Sequence, residues 1–270
     1  MECCVVDAFK FIGDMVSNKG LIFELTMRDF KSKYLGSYLG LIWAFINPMV
    51  YVVILWFVFY LGFKSSTVGK VSFFHWLIAG IVPWFFISDS LSSAAHSIVD
   101  YSFLVKKVVF RISLLPLVRI LSALYVHLFF LVLVLLIYFF SGYSLDWHVC
   151  QLPYYLFAAV VFVTGVSWIT SSVTIFFRDM GQIVNMLLQF LFWLTPIFWQ
   201  INIIPAKFVL FLKLNPVFYI VNGYRNSLIN RVWFWEEGLL SIYFWIVVAF
   251  VFFTGAFLFR RLRPHFADVI

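Results

Sequence analysis

Charged residues are scarce in this chain. Asp, Glu, Lys and Arg make up 11% of its 270 residues, whereas about 25% is usual in soluble domains. Hydrophobic residues make up 64%, and the mean hydropathy is +1.02. This composition excludes an ordinary soluble domain and predicts an all-α polytopic membrane protein, for which we expect no nucleic-acid partner.

Cysteine is also rare, and the three present are Cys3, Cys4 and Cys150. Apart from one adjacent pair they share no metal-ligand spacing, and three cysteines form no even disulfide framework, so no metal site is predicted. The first 33 residues carry ten charges, which excludes a cleaved secretory signal with an apolar core. We therefore expect the amino terminus to stay in the cytoplasm.

Patterns for nucleotide binding and catalysis are missing. The sequence has no GxxxxGK[ST] loop, so a separate chain must supply the ATPase if ATP drives transport. Asp89, His96 and Asp100 share one helix face near several serines, but a GxSxG turn and a separate oxyanion hole are lacking. We interpret these three as polar lining of a bundle interface or of the cytoplasmic mouth, and predict no catalytic residue and no cofactor in this chain.

Long apolar runs are what the chain does have. Six of them are of the length that crosses about 30 Å of hydrocarbon. The predicted spans are residues 38–63, 72–96, 117–141, 153–177, 182–199 and 238–259. Six spans put both termini on one side, where thirteen of the 19 Lys and Arg then lie, and the positive-inside rule assigns that side to the cytoplasm.

Two segments on the cytoplasmic side carry mixed apolar and charged residues. Residues 1–36 show near-helical spacing and predict an amphipathic interface helix on membrane lipids, with a solvated tail as the alternative, ahead of a transmembrane domain over 37–270. The loop 97–116 suits either a partner's groove or lipid headgroups. Its candidate coupling residues are Phe103, Lys106, Lys107 and Arg111.

The segment 201–237 is interrupted by Pro205 and Asn215-Pro216, and its pieces are too short and too charged to cross a bilayer. We predict a re-entrant, outer-side helical hairpin, because broken backbone persists at membrane depth only where protein or water surrounds it. Its basic residues are an exception to the positive-inside rule, and we expect them to line an exit. They are Lys207, Lys213, Arg225 and Arg231.

Aromatic residues make up 22% of the chain. Many suit lipid-facing positions or interfacial belts. Aromatic faces also stack on the C–H faces of sugars, so a ring of them around a pore would let a glycan slide. The candidates on the first and fifth spans are Phe45, Trp56, Phe59, Phe190, Trp193 and Phe198.

Five segments, in order, resemble the permease subunits of polysaccharide-exporting ABC transporters of the type 2 exporter class, and the likeness covers nearly the whole chain. The segments are RDFKSKYLGSYLGLIWAFINP (28–48), GIVPWFFISDSL (80–91), FFRDMGQIVNMLLQFLFWLTPIFW (176–199), LNPVFYIVNGYRNSL (214–228) and FRRLRPHFADVI (259–270).

The resemblance implies a homodimeric channel in the bacterial inner membrane, with a cytoplasmic ATPase subunit on each copy that binds ATP and Mg²⁺. It implies that the interface helix and the 97–116 loop contact the ATPase. The implied cargo is a glycan on undecaprenyl pyrophosphate, with O-antigen preferred over capsule or teichoic acid. Basic residues at the cytoplasmic mouth suit the pyrophosphate, because charge-assisted contacts to phosphate are strong, or serve only as positive-inside anchors. They are Arg28, Lys31, Lys33 and Arg178.

Two other functions stay open on the sequence alone. A small-molecule or drug exporter permease shares the architecture, and a membrane glycosyltransferase would act on the same lipid carrier. The enzyme would need carboxylates or a histidine at the membrane face, where the chain offers only Asp89, His96 and Asp100. We therefore predict a translocase subunit that is not an enzyme by itself.

Overall fold

The structure is a computed structural model that describes residues 18–33, 38–62, 67–68, 71–105 and 112–269. Helices dominate these ranges. A short antiparallel pair, Thr67–Val68 (β1) and Val71–Ser72 (β2), places Val68 opposite Val71. The α-helices are α1 (Lys19–Ser32), α2 (Trp43–Trp56), α3 (Phe73–Ala95), α4 (Ser97–Asp100), α5 (Ser102–Val105), α6 (Leu115–Phe140), α7 (Leu152–Phe176), α8 (Met180–Leu194), α9 (Ala206–Lys213), α10 (Pro216–Arg225), α11 (Leu239–Leu262) and α12 (Phe266–Val269).

Several short turns of other helix types extend these elements. Gly40–Ile42, Ile112–Leu114, Trp147–Gln151, Ile201–Ile203 and Arg263–His265 are 3₁₀ turns, and Phe57–Gly62 and Asn226–Asn230 are π-helical. The first π-helical turn continues α2, and the second continues α10.

Among the described residues, five helices are long and apolar enough to cross a membrane, and they coincide with five of the six predicted spans. They are Gly40–Phe59, Phe73–Ala95, Ile112–Phe140, Trp147–Phe176 and Leu239–His265. The helix at the predicted fifth span, α8, has 15 residues, fewer than the roughly 20 that a span needs. The six-span topology therefore stays a prediction at this one helix.

Helix α8 ends where proline chemistry requires it. The residue before a proline avoids the helical conformation, and Thr195, which precedes Pro196, has an extended ψ of 129°. Further along, α9 and α10 form two short helices in the predicted hairpin. Asn215 begins α10 by accepting a hydrogen bond from the Val217 N–H (3.0 Å), with Pro216 at the first helical position. Re-entry of these helices into the bilayer stays a prediction.

Helix α3 lies at the centre of the molecule, and it is buried on most sides by α6, α7, α8 and α10. Helices α7 and α11 approach closely where two glycines meet. A Cβ at Gly255 would lie 2.4 Å from the Gly165 carbonyl oxygen, and one at Gly165 would lie 2.8 Å from Phe252 Cα. Helix α1 packs along α6, with Ile22 against Leu114 and Leu117.

Candidate functional site

Two adjoining cavities open along one face of α3. The first, of about 480 Å³, lies between α2, α3 and α6, and the second, of about 330 Å³, lies between α2, α3 and α8. They share Tyr51, Phe85, Ser88 and Ser92. Together they form one groove, which we call the α3 groove.

The α3 groove has mixed aromatic and polar walls. Positions three and four apart share a helix face, which brings Phe85, Ser88 and Ser92 to the same side of α3. The aromatic walls are Trp43, Tyr51, Trp84, Phe85, Phe86, Phe130 and Phe192. The polar groups are Asn47, Ser88, Asp89, Ser92, His127, Asn185 and Gln189. Such walls suit a hydroxyl-rich ligand, since aromatic rings supply contact area and a few polar groups fix orientation.

Two polar contacts hold the edges of the groove. The Ser92 hydroxyl donates to Asn185 Oδ1 (2.8 Å) and so joins α3 to α8. Lys33 Nζ, just after α1, lies 3.6 Å from Asp89 Oδ2, whose side chain is 54% exposed. Among the described lining residues, Asp89 is the only one that is Asp, Glu, Lys or Arg. This described lining is therefore nearly free of charge, and its carboxylate lies beside a lysine.

His127 closes the inner side of the first cavity. It is buried, its Nε2 lies 2.8 Å from the Tyr224 hydroxyl, and its ring lies 5.0 Å from that of Phe86. This contact holds α6 against α10 behind the groove.

Three of the six predicted channel aromatics come together. Phe59 stacks near Phe198 (ring centroids 6.0 Å apart), and Phe198 lies 6.4 Å from Trp193. Phe192, which sequence reasoning passed over, lies 5.1 Å from Phe198 and 5.4 Å from Trp84. It therefore links this aromatic cluster to the α3 groove.

The other three predicted aromatics lie apart. Phe45 packs on Phe129 of α6 (4.5 Å) and faces Phe30 of α1 (6.4 Å). Trp56 lines a separate apolar crevice with Phe74, and Phe190 is 66% exposed on α8. The structure therefore does not bring these three to the groove, and the channel role of all six stays a prediction.

The predicted mouth residues lie in α1, directly after it, and directly before α8. Arg28, Lys31 and Arg178 are exposed, while Lys33 pairs with Asp89. A Cβ on Gly181, at the start of α8, would lie 2.0 Å from His96 Nε2, so the start of α8 packs on the end of α3. The end of α1 thus contacts the second half of α3, and the start of α8 contacts the residue just after α3.

A buried ion cluster joins the two segments predicted to contact a partner. Asp29 of α1 is fully buried and accepts a hydrogen bond from the Tyr101 hydroxyl (2.7 Å). Arg119 of α6 lies 3.0 Å from Asp29 Oδ1 and 2.5 Å from Asp100 Oδ2. Burial raises the pKa of Tyr101, and its hydrogen bond to Asp29 raises that pKa further.

Sequence reasoning missed this cluster, although one signal was available. Ile22, Thr26, Asp29 and Phe30 are the buried positions of α1, so Asp29 is a charge on the packed face of an amphipathic helix. Of the predicted coupling residues, Phe103 is exposed beside the cluster, in α5. Lys106, Lys107 and Arg111 lie outside the described residues.

The expectation that Arg225 lines an exit is wrong. Its side chain is 4% exposed, and its guanidinium donates to the carbonyls of Pro196 (2.6 Å), Ile197 (2.9 Å) and Trp76 (3.3 Å). The guanidinium also lies 3.6 Å from the centre of the Trp76 ring, over Gly80, whose Cβ would be 2.5 Å from Nη2. The backbone carbonyls of Pro196 and Ile197, which follow the end of α8, thus accept hydrogen bonds from a side chain of α10.

The side chains of the three residues that could suggest a catalytic triad make contacts with other residues. Asp89 pairs with Lys33, His96 packs on Gly181, and Asp100 pairs with Arg119. No group of three His, Cys, Asp or Glu within the described part of the chain could hold a metal ion.

Long apolar helices around a groove define the class of the protein as a multi-pass membrane protein. The profile of the ABC-2 type transporter family matches residues 20–229, more than half of the chain, and the chain belongs to this family. The family resemblance predicted from the sequence is thereby confirmed.

Several curated relatives match over most of their length. The O-antigen export system permease protein RfbA of Klebsiella pneumoniae is 28% identical over 263 residues, covering 95% of this chain and 98% of the relative. The protein of the same name from Myxococcus xanthus is 26% identical over 263 residues, covering 97% and 99%. The polysialic acid transport protein KpsM of Escherichia coli is 24% identical over 242 residues, covering 87% and 91%.

Proposed function

We propose that this chain is the channel subunit of an ATP-driven exporter that moves a polysaccharide linked to undecaprenyl pyrophosphate, namely O-antigen, from the cytoplasmic to the periplasmic leaflet. The α3 groove is the observation that carries this proposal. A long glycan must pass without being held tightly, and aromatic faces with scattered hydroxyl and amide groups offer many weak contacts.

In this proposal, two copies of the chain form the channel in the inner membrane, with both termini in the cytoplasm. Each copy has six spans, of which the fifth is α8 with the broken backbone after it, and α9 and α10 re-enter from the outer side. The hydrogen bonds from Arg225 to the Pro196 and Ile197 carbonyls support this proposal. At membrane depth, carbonyls outside a regular helix need a hydrogen-bond donor from the protein, and Arg225 supplies one.

The proposed energy source is a separate cytoplasmic ATPase, one on each copy. Its contact surface comprises α1 and the loop 97–116, and the cluster of Asp29, Arg119 and Asp100 ties these two segments to α6. A push on either segment would therefore reach α6 directly. Arg28, Lys31, Lys33 and Arg178 would hold the pyrophosphate at the mouth.

Charge reversal in the loop tests the coupling surface. We expect the triple variant Lys106→Glu, Lys107→Glu and Arg111→Glu to reduce the amount of ATPase that co-purifies with the full chain, or to stop glycan export. Arg231→Glu, a charge reversal outside the loop beside Asp146, serves as the matched control for ATPase co-purification. Unchanged co-purification together with unchanged export in the triple variant would refute the assignment of the loop.

A deletion strain tests the cargo. Without this chain, lipid-linked glycan should accumulate on the cytoplasmic face, and a plasmid copy should return it to the cell surface. Absence of any glycan accumulation would count against polysaccharide export and for a small-molecule or drug exporter. A purified chain that turned over a sugar donor without an ATPase would instead indicate a glycosyltransferase.

A capsule exporter is the second candidate, and the match to KpsM is the observation that favours it. Teichoic acid export has the same architecture. The repeat unit of the accumulated glycan, determined together with its lipid acceptor, separates these candidates.

A further inference from the structure

The charge of the α3 groove restricts the polymer that can pass it. Its described lining residues include one carboxylate, Asp89, and no Lys or Arg. Asp89 lies where the groove meets Lys33, whose Nζ is 3.6 Å from the Asp89 Oδ2. The described walls of the groove therefore offer hydroxyl, amide and aromatic groups, but no Lys or Arg for an acidic sugar.

An acidic glycan would lose free energy in such a groove for two reasons. Each sugar carboxylate would leave water for walls made largely of aromatic rings, with no positive side chain to replace its hydration. Each would also approach the Asp89 carboxylate. At a separation of about 6 Å and an effective dielectric constant of about 40, that repulsion corresponds to at most about a tenfold effect on rate or affinity, because Lys33 lies beside the carboxylate and offsets part of its charge.

A neutral glycan meets neither cost. Its hydroxyls can donate to Asp89 and to the amide oxygens of Asn185 and Gln189, and its C–H faces can lie on Tyr51 and Phe85. The basic residues outside the groove, Arg28 and Lys31 in the second half of α1 and Arg178 just before α8, are exposed and can attract one anionic headgroup. The two regions would therefore accept a negatively charged head followed by an uncharged chain.

We propose that the α3 groove selects uncharged, hydroxyl-rich glycans against acidic ones, and that Asp89 is a specificity-determining residue. This inference rests on the proposed function, because it takes the groove to be the path of the polysaccharide.

The test uses the full chain with its ATPase in lipid vesicles. Two probes are compared: a glucose polymer linked to undecaprenyl pyrophosphate, and the same polymer after oxidation of its 6-hydroxyls to carboxylates. Both probes carry the same headgroup, so the ratio of their ATP-dependent translocation rates reports on the sugar chain alone. We expect the wild-type protein to translocate the neutral polymer about tenfold faster or more.

Variants assign the discrimination to Asp89. Asp89→Asn removes the charge at nearly constant volume and should lower the neutral-to-acidic ratio by several fold. Lys33→Gln breaks the same ion pair but keeps the carboxylate, so it should leave the ratio unchanged or raise it. Asp146→Asn makes the same chemical change in the loop before α7, outside the groove, and should leave the ratio unchanged.

Three results would overturn the inference: equal wild-type rates for the two polymers, an unchanged ratio in Asp89→Asn, or the same fall in Lys33→Gln as in Asp89→Asn. A wild-type complex that hydrolyses ATP but translocates neither polymer would refute the proposed function itself, and the inference with it.

Discussion

The hydrogen bonds of Arg225 to three backbone carbonyls lead to a specific prediction about folding stability. Arg225→Met keeps much of the side-chain volume but removes all three donors to the carbonyls of Trp76, Pro196 and Ile197. The Trp76 carbonyl belongs to a continuous helix, whereas Pro196 and Ile197 follow the break in α8. Two carbonyls would therefore be left buried without this donor, at about 1–3 kcal/mol each.

The cation–π contact with Trp76 adds about 1–2 kcal/mol, while relief of the buried charge offsets part of the loss. We expect a net loss of about 3 kcal/mol, or a melting temperature lower by about 10 °C for a chain of this size. The assay is thermal unfolding of the full chain in detergent, followed by tryptophan fluorescence.

Two further variants make this prediction refutable. Arg231→Met removes a basic residue of the same type that is 52% exposed and paired with Asp146, and it should cost at most about 1 kcal/mol. Gly80→Ala keeps Arg225 but puts a Cβ 2.5 Å from its Nη2, so it should destabilise in the same direction. Equal melting temperatures for Arg225→Met and Arg231→Met would refute the reasoning.

Three further predictions concern other contacts. Arg119→Gln leaves the buried Asp29 carboxylate without its cation, so we expect about 3 kcal/mol of destabilisation and easier proteolysis of α1. Gly255→Ala puts a Cβ 2.4 Å from the Gly165 carbonyl oxygen and should cost about 1–3 kcal/mol in thermal unfolding. Burial raises the pKa of Glu237 above its ordinary value of 4.5. The contribution of this carboxyl to folding stability should therefore fall as the pH rises from 4.5 through the raised pKa of the folded state. Glu237→Gln should flatten that pH dependence.

Each of these has its own control. Asp100 is half exposed, so Asp100→Asn should be milder than Arg119→Gln, and the reverse order would contradict the assignment. Gly20→Ala, with nothing within 4 Å of the added Cβ, should be tolerated where Gly255→Ala is not. A melting temperature of the Glu237→Gln protein that still falls over the same pH range would remove Glu237 as the cause.

Hydropathy alone predicted most of the long helices correctly. Five predicted spans match long apolar helices because apolar length is a property of contiguous sequence. At the predicted span 182–199, the helix found in the structure ends earlier, at Leu194. Pro196 was visible in the sequence, but its effect on the preceding residue outweighs the hydropathy of the residues that follow.

Side-chain placement was harder to predict. Phe45, Trp56 and Phe59 were grouped because they lie close to one helix face, but Phe45 and Phe59 are separated by about four helical turns and so meet different neighbours. Phe59 lies with Phe198, while Phe45 packs on Phe129 of α6. Tyr51, which lines both cavities, was not selected.

Counting charges could not predict the structural role of Arg225. The positive-inside rule treats every Lys and Arg alike, whereas the role of Arg225 depends on carbonyls about thirty residues away and on the space above Gly80. Such contacts between distant segments leave no periodic pattern in one sequence. Asp29 was more accessible to reasoning, because it occupies the packed face of a short amphipathic helix.

The central claim is that polysaccharide passes through the α3 groove, and a bulky residue placed there tests it most directly. Ser88 lines both cavities, so Ser88→Trp should stop delivery of the glycan to the cell surface while the ATPase still co-purifies. Val132→Trp, at an exposed apolar position of α6, should leave delivery intact. Undiminished surface glycan in the Ser88→Trp strain would contradict the account.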